Sequence, residues 1–416
     1  MKKYWWILLF FVPLVFIWRP GGEKISLQAG KGQWWEVQSV DTMKYSRDLA
    51  RTKASDIDFN KTIDLQVGNI ASVGATHVAI ATPYDEEFIP FLKRWVDSAR
   101  RSNLKVWFRG NFSGWEGWFN YEKITREQHL EKTKKFIEDH PNLFADGDVF
   151  SSCPECENGG PGDPRHNGDV EGHRKFLIAE YKIAQAAFDR IGKKVHPNFH
   201  SMNGDVAKII MDKDTTEQLG GLVVIDHYVD TPQKLADDIE TLAKVSGGKV
   251  FLGEFGAPIP DIHGKLDEAS QAKWLEEALG LLTKSENLAG LNYWVGIGGT
   301  TQIFNDDGSE RLAAGVVKNY FLPKTITGII KNDLGQNLSG ATVSSIQKTV
   351  WSDNAGHFVL PYRKQVLSVS VSAENHVTKI SQITSDGLLE EILVKKNKNL
   401  VEMAVSFFRR LGFASG

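Results

Sequence analysis

The sequence predicts a (β/α)8 barrel, the TIM-barrel architecture, followed by a small all-β sandwich. Three observations carry that prediction. Between about residues 33 and 321, short apolar runs of β type alternate with longer amphipathic stretches, eight times over. Eight βα units in about 290 residues suit a closed barrel, and no G-x-G-x-x-G follows the first strand to suggest a dinucleotide-binding open sheet. After Phe321-Leu322-Pro323 the pattern changes to short alternating segments separated by turn residues.

In chain order, Met1-Lys2-Lys3 precedes an apolar run over 4–18 and then Arg19-Pro20. A basic head before such a run directs the remainder of the chain outward, so residues 1–22 read as a signal peptide or an N-terminal membrane anchor and the bulk as extracytoplasmic. Fifteen apolar residues are short for a membrane span, which suits a signal peptide. No small-residue cleavage pattern follows, and tryptophans stand at both ends, which suits an anchor. The barrel is assigned to 23–322, with strands expected at 34–40, 77–82, 104–109, 148–152, 194–199, 222–226, 250–253 and 291–294. Helices are expected at 88–101, 126–139, 171–192, 232–246 and 268–285, each with apolar residues three and four apart. Residues 45–62 give no clean period. The β-sandwich is assigned to 323–395. The segment 396–416 is an amphipathic tail that either lies on a membrane surface, packs on the sandwich or forms a disordered end.

Composition bounds the function. The chain has 416 residues, 41% of them hydrophobic, with 49 basic and 52 acidic side chains and a net charge of -3. Neither wholesale disorder nor a nucleic-acid-coating role fits those values. Two cysteines exclude a disulfide-dense scaffold.

In a (β/α)8 barrel the reactive groups gather at the carboxyl ends of the strands. The fourth predicted strand runs into Ser152-Cys153-Pro154-Glu155-Cys156-Glu157-Asn158 and the seventh into Gly253-Glu254-Phe255-Gly256. Cleavage of a glycosidic bond requires two carboxyl groups, one to protonate the leaving oxygen and one to attack the anomeric carbon or activate water against it. Glu155 and Glu254 are the candidate pair, with burial expected to raise the pKa of the acid. Glu157 is a rival for the acid/base role.

On these residues the chain resembles the large clan of retaining (β/α)8 glycoside hydrolases that includes the cellulase-like family 5 enzymes, over residues 33–321. The resemblance implies Glu155 as acid/base, Glu254 as nucleophile, His227 and Tyr228 as contacts to the nucleophile, Trp294 as a sugar platform and Arg109 as the arginine holding the nucleophile ionised. It also implies a β-linked polysaccharide substrate, with no cofactor. Where the clan usually has asparagine before the acid/base, this chain has Pro154, so the contact to a sugar 2-hydroxyl falls to Asn158, Asn111 or Asn203. Residues 325–395, through Thr327-Gly328-Ile329-Ile330, Leu338-Ser339-Gly340-Ala341-Thr342-Val343 and Asp353-Asn354-Ala355-Gly356-His357-Phe358, resemble the carboxypeptidase regulatory-like family of transthyretin-like sandwiches, whose modules act as spacers or binding units.

The remaining strand ends suit a sugar cleft. Asn111, His200, Asn203 and Tyr228 offer hydrogen bonds, while Trp115, Trp118 and Trp294 offer flat faces for sugar rings. Two tryptophans among the glycines of 114–119 look poorly placed for a core. His77, at the opposite barrel end, reads as structural. Cys153 and Cys156 read as a small disulfide or two thiols, or, with His166 and His173, as an imitation of a zinc site, which the irregular histidine spacing disfavours. A non-catalytic glycan-binding surface protein on the same barrel is the alternative function.

Overall fold

The computed structural model describes residues 32–363, 368–383, 388–393 and 395. The N-terminal segment 1–22 and the tail 396–416, which carry the membrane expectations, lie outside the described residues. Among the described residues no helix is long and apolar enough to cross a membrane.

Eight parallel strands form one curled sheet: β1 (Val37–Asp41), β2 (His77–Ile80), β3 (Lys105–Phe108), β4 (Val149–Phe150), β5 (Ser201–Asn203), β6 (Leu222–Asp226), β7 (Lys249–Phe255) and β8 (Leu288–Tyr293). Their spatial order is β4-β3-β2-β1-β8-β7-β6-β5. A parallel bridge between Val149 and His196 ties the β4 edge to the segment leading into β5, so the sheet closes as a (β/α)8 barrel. Strands covered on both faces are mostly apolar, as the fully buried β2 and β6 show, whereas the equally buried β1 carries Gln38, Ser39 and Asp41.

The helices follow the predicted periodicity closely. Arg126–Asp139 opens on a Thr125/Gln128 capping box, and Pro232–Ser246 on Thr231 followed by proline. Ile89–Arg101 turns Phe91, Leu92, Trp95, Val96 and Ala99 inward. Inside the barrel, Trp107, Phe199 and Phe251 form an edge-to-face plug with ring centroids 5.0–5.5 Å apart.

Two elements differ from the sequence expectation. The fifth strand was expected at 194–199, yet the paired strand is Ser201–Asn203. Pro197 interrupts the earlier segment because it has no N–H for a ladder, leaving only the bridge at His196 and the inward Phe199. The aperiodic first unit is built from short helices at Met43–Ser46 and Ala50–Lys53, a 3₁₀ turn, and then the full helix Asn60–Ser72.

Beyond the barrel, β9 (Lys324–Asn332), β10 (Thr342–Ser344), β11 (Thr349–Trp351), β12 (His357–Tyr362), β13 (Ser368–Ser372), β14 (Lys379–Gln382) and β15 (Leu388–Leu393) form two sheets, ordered β11-β10-β13-β14 and β12-β9-β15. Ile326, Phe358 and Leu393 from one sheet and Val343 and Val371 from the other belong to one apolar cluster. This region touches the barrel where Lys348 Nζ donates to the Trp34 carbonyl (3.0 Å), and where Arg363 stacks on Tyr320 and pairs with Glu276 (2.8 Å).

Candidate active site

The site begins where β3 ends. Arg109, fully buried, lies above the Trp107 ring and donates to three carboxylates, each from a different strand end. Its Nη1 reaches Glu254 Oε1 (2.5 Å) and Asp41 Oδ2 (3.1 Å), and its Nη2 reaches Asp226 Oδ2 (2.6 Å). The next residue must be glycine, since a Cβ at Gly110 would lie 2.1 Å from the Thr82 carbonyl oxygen. Asn292, near the end of β8, braces the cluster by donating to Asp41 Oδ2 (3.1 Å) and the Gly253 carbonyl (2.9 Å).

One guanidinium faces three acids in a space sealed from water, so full ionisation of all of them is unfavourable. Burial pushes Asp226 well above the usual carboxylate range, against the pull of Arg109, and Asp41 is raised in the same way. Glu254 stands on β7 directly after Gly253, where a Cβ would collide with Asp226 Oδ1. Both Glu254 oxygens are acceptors: Arg109 donates to Oε1 and the Tyr228 hydroxyl to Oε2 (2.6 Å).

Glu155 is held differently. It sits in the left-handed region, with φ 44, which favours glycine over a long side chain. Cys153 and Cys156 bracket it and are bonded to each other. Its N–H donates to the Ser201 carbonyl (2.7 Å), and its own carbonyl accepts from the Asn158 N–H (2.8 Å). No side-chain donor within the described residues reaches its carboxyl. Burial, reinforced by the nearby Glu254 charge, raises its pKa to about 7. Carboxyl oxygens of Glu155, Asp226 and Glu254 lie within 4.8 Å of one another.

The two glutamates singled out from the sequence thus converge, one rich in donors and one nearly without. Glu157 points elsewhere: it is buried, and its Oε1 accepts from Asn203 N (2.7 Å) and Nδ2 (3.1 Å), which occupies Asn203 as well. Several expected sugar contacts occupy other positions. Trp115 is buried, stacked on Phe176 with its Nε1 donating to the Cys156 carbonyl, because Gly159 and Gly160 let the β4 loop close over it. His227 turns outward to Asp238 (2.8 Å) rather than to Glu254. His200 is buried, and burial lowers its pKa to about 4, leaving a neutral ring. Asn111 is buried and fully engaged, and Asn158 is exposed. Trp118 and Trp294 keep partly open faces, with Arg47 5.0 Å and Lys44 5.5 Å from their respective ring centroids.

Sequence reasoning missed Asp41, Asn292 and Glu116. The expected first strand stopped one residue before Asp41, although an acid at the carboxyl end of a barrel strand is the signal that selected Glu254. Cys153 and Cys156, being bonded to each other, are not thiolate ligands. In the three-carboxylate group, Arg109 already supplies a cation to Glu254 and Asp226.

No known family profile matches the sequence, and no curated protein does either. Solved structures do match. One is a GH5_18 protein from Bifidobacterium longum subsp. longum in complex with Manb1-4GlcNAc, with a TM-score of 0.51 and 14% identity, over 73% of this chain and 86% of that one. Another is a GH5_18 protein from Streptomyces cattleya in complex with GlcNAc, with a TM-score of 0.50 and 14% identity, over 73% and 85% of the two chains. At that identity the likeness is one of fold.

Proposed function

We propose that this protein is a glycoside hydrolase that cleaves O-glycosidic bonds of a β-linked saccharide with retention of configuration. The observation that carries the reading is the convergence of two carboxyl groups from the ends of β4 and β7 with opposite environments. Glu254, fixed by Arg109 and Tyr228, attacks the anomeric carbon. Glu155, protonated over much of the neutral range, gives its proton to the leaving oxygen and then takes one from water to release the sugar. An oxygen separation within 4.8 Å suits the double displacement of a retaining enzyme, whose carboxyls stand ~5 Å apart, better than the wider spacing of ~6.5–9.5 Å in inverting enzymes. The GH5_18 likeness supports the barrel as a scaffold for such chemistry.

The alternative, a non-catalytic glycan-binding protein, draws on Pro154, which offers no hydrogen bond to a sugar at the position before Glu155. A panel of β-glucan, β-mannan and aryl β-glycosides assayed with wild type, E155Q and E254Q separates the two. Reducing ends released by wild type and lost in E254Q support hydrolysis, whereas saccharide affinity without release in any variant supports the alternative. Proton NMR of the first-formed anomer then tests retention.

An extracytoplasmic location, with anchoring or secretion through residues 1–22, belongs to the same proposal and is supported by the Cys153–Cys156 bond, since such bonds persist in oxidising compartments. Residues 323–395 are proposed to be a carboxypeptidase regulatory-like sandwich serving as a spacer.

A further inference from the structure

Asn111 was expected to hydrogen-bond a sugar, yet every polar atom of its side chain is committed. Its Oδ1 accepts from His129 Nε2 (2.9 Å) and from the Phe112 N–H (2.8 Å). Its Nδ2 donates to Glu116 Oε1 (2.5 Å) and, more weakly, to Cys153 Sγ (3.6 Å). The amide cannot be turned over, because the Phe112 N–H can only donate and needs the oxygen at that place; behind it His129 Nδ1 meets Glu180 Oε1 at 2.7 Å, and Glu180 Oε2 accepts from Thr133 Oγ1 (2.9 Å). His129, Thr133 and Glu180 are all fully buried. A buried, fully satisfied chain of this kind is rigid, and its outer end is the Glu116 carboxyl.

Glu116 closes the helical turn Ser113–Glu116 before Gly117, whose φ of 74 reverses the chain. It is partly exposed, and its Oε2 makes no hydrogen bond among the described residues. Asn111 Nδ2, which holds Glu116, also lies 3.6 Å from the Sγ of Cys153, two residues before Glu155, and electrostatically Glu116 feels Glu155 and Glu157 from the β4 loop and Arg47 from the first βα loop, so it lies near the acid/base.

We infer that Glu116 is a specificity-determining residue, whose Oε2, held in place by Asn111, hydrogen-bonds a hydroxyl of the saccharide bound between Glu155 and Glu254. The inference rests on the hydrolase reading and adds a contact to it. Burial raises the Glu116 pKa to about 8, against the Asn111 bond that lowers it and with Glu155 raising it further. At neutral pH the group is therefore an uncharged acid, and Oε2 carries an O–H that a sugar hydroxyl oxygen accepts. As pH rises through 8 the proton leaves, the donor is lost, and a charge appears beside Glu155 and Glu157. Arg47 is the cation facing it, and the His129–Glu180 pair lies behind Asn111.

The experiment uses the saccharide that wild type hydrolyses best in the panel above. E116A raises KM about 10-fold with kcat within about 2-fold, the loss expected for one neutral hydrogen bond, and E116Q, which still accepts from Asn111 and donates outward, brings KM back to within about 3-fold of wild type. In the E155Q background, which removes that residue's own titration, calorimetric affinity falls as pH rises from 7 to 9 with Glu116 present and stays flat with E116Q. An unchanged KM in E116A, or a fall in kcat alone in both variants, overturns the inference while leaving the hydrolase reading intact. If wild type cleaves nothing but binds a panel saccharide, the hydrolase reading fails, and equal affinity of wild type and E116A then overturns this inference too. Neither cleavage nor binding overturns both.

Discussion

The barrel interior holds two layers that are equally hidden from water and opposite in character. The lower is the plug of Trp107, Phe199 and Phe251, and the upper, resting on it through Arg109 above the Trp107 ring, is the charged knot of Arg109, Asp41, Asp226 and Glu254. Burying the plug stabilises the fold by the removal of large apolar faces from water. Burying the knot costs desolvation that ion pairing only partly returns, which the raised Asp41 and Asp226 pKa values record. A fold selected for stability alone would continue the plug upward. The expensive layer is therefore where chemistry is to be sought, and it lies at the strand ends that meet both Glu155 and Glu254.

That contrast breaks or sharpens under substitution. E254Q is expected to lower kcat by at least about 1000-fold, as loss of a nucleophile does, while thermal stability holds or rises because a desolvated charge is gone. Coupled loss of activity and stability would blur the two layers into one. E155Q is expected to cost about 100- to 10000-fold on substrates with poor leaving groups and far less on activated aryl glycosides. The wild-type rate should fall as pH climbs through about 7, where Glu155 surrenders its proton, and a pH profile on an aryl glycoside that keeps this limb in E155Q would remove Glu155 from the acid role.

In the lower layer, W107A is expected to reduce unfolding free energy by roughly 3–5 kcal/mol through the cavity it leaves, with kcat of the folded fraction within a few-fold of wild type at low temperature. Chemical denaturation beside active-site titration measures both. Smallest is the effect of C153S with C156S: a loop this short gives about 2 kcal/mol, and the expected signature is a broadened or shifted Glu155 limb in the pH profile rather than unfolding.

Much of the barrel was legible because its signals are local. Apolar runs buried on both faces, amphipathic helices and caps such as Thr125 with Gln128 are written within a few residues of where they act. The fifth strand was misplaced because pairing across the closing seam, not apolar content, decides which residues join the ladder, and Pro197 breaks it. Trp115 and Asn111 look in sequence like sugar contacts. What buries them is contributed from elsewhere in the chain: Phe176 and the glycines of the β4 loop for the one, His129 and Glu180 for the other.

By itself the sequence determined the repeating strand and helix periods and the placement of one acid beyond β4 and another near the carboxyl end of β7, because backbone periodicity and turn residues act over a few positions. Only the tertiary structure decided what each acid became. Charge is set by neighbours within a few ångströms, and those neighbours, Arg109 and Tyr228 for Glu254, Glu254 itself for Glu155, and Asn111 for Glu116, are delivered by the closure of the barrel.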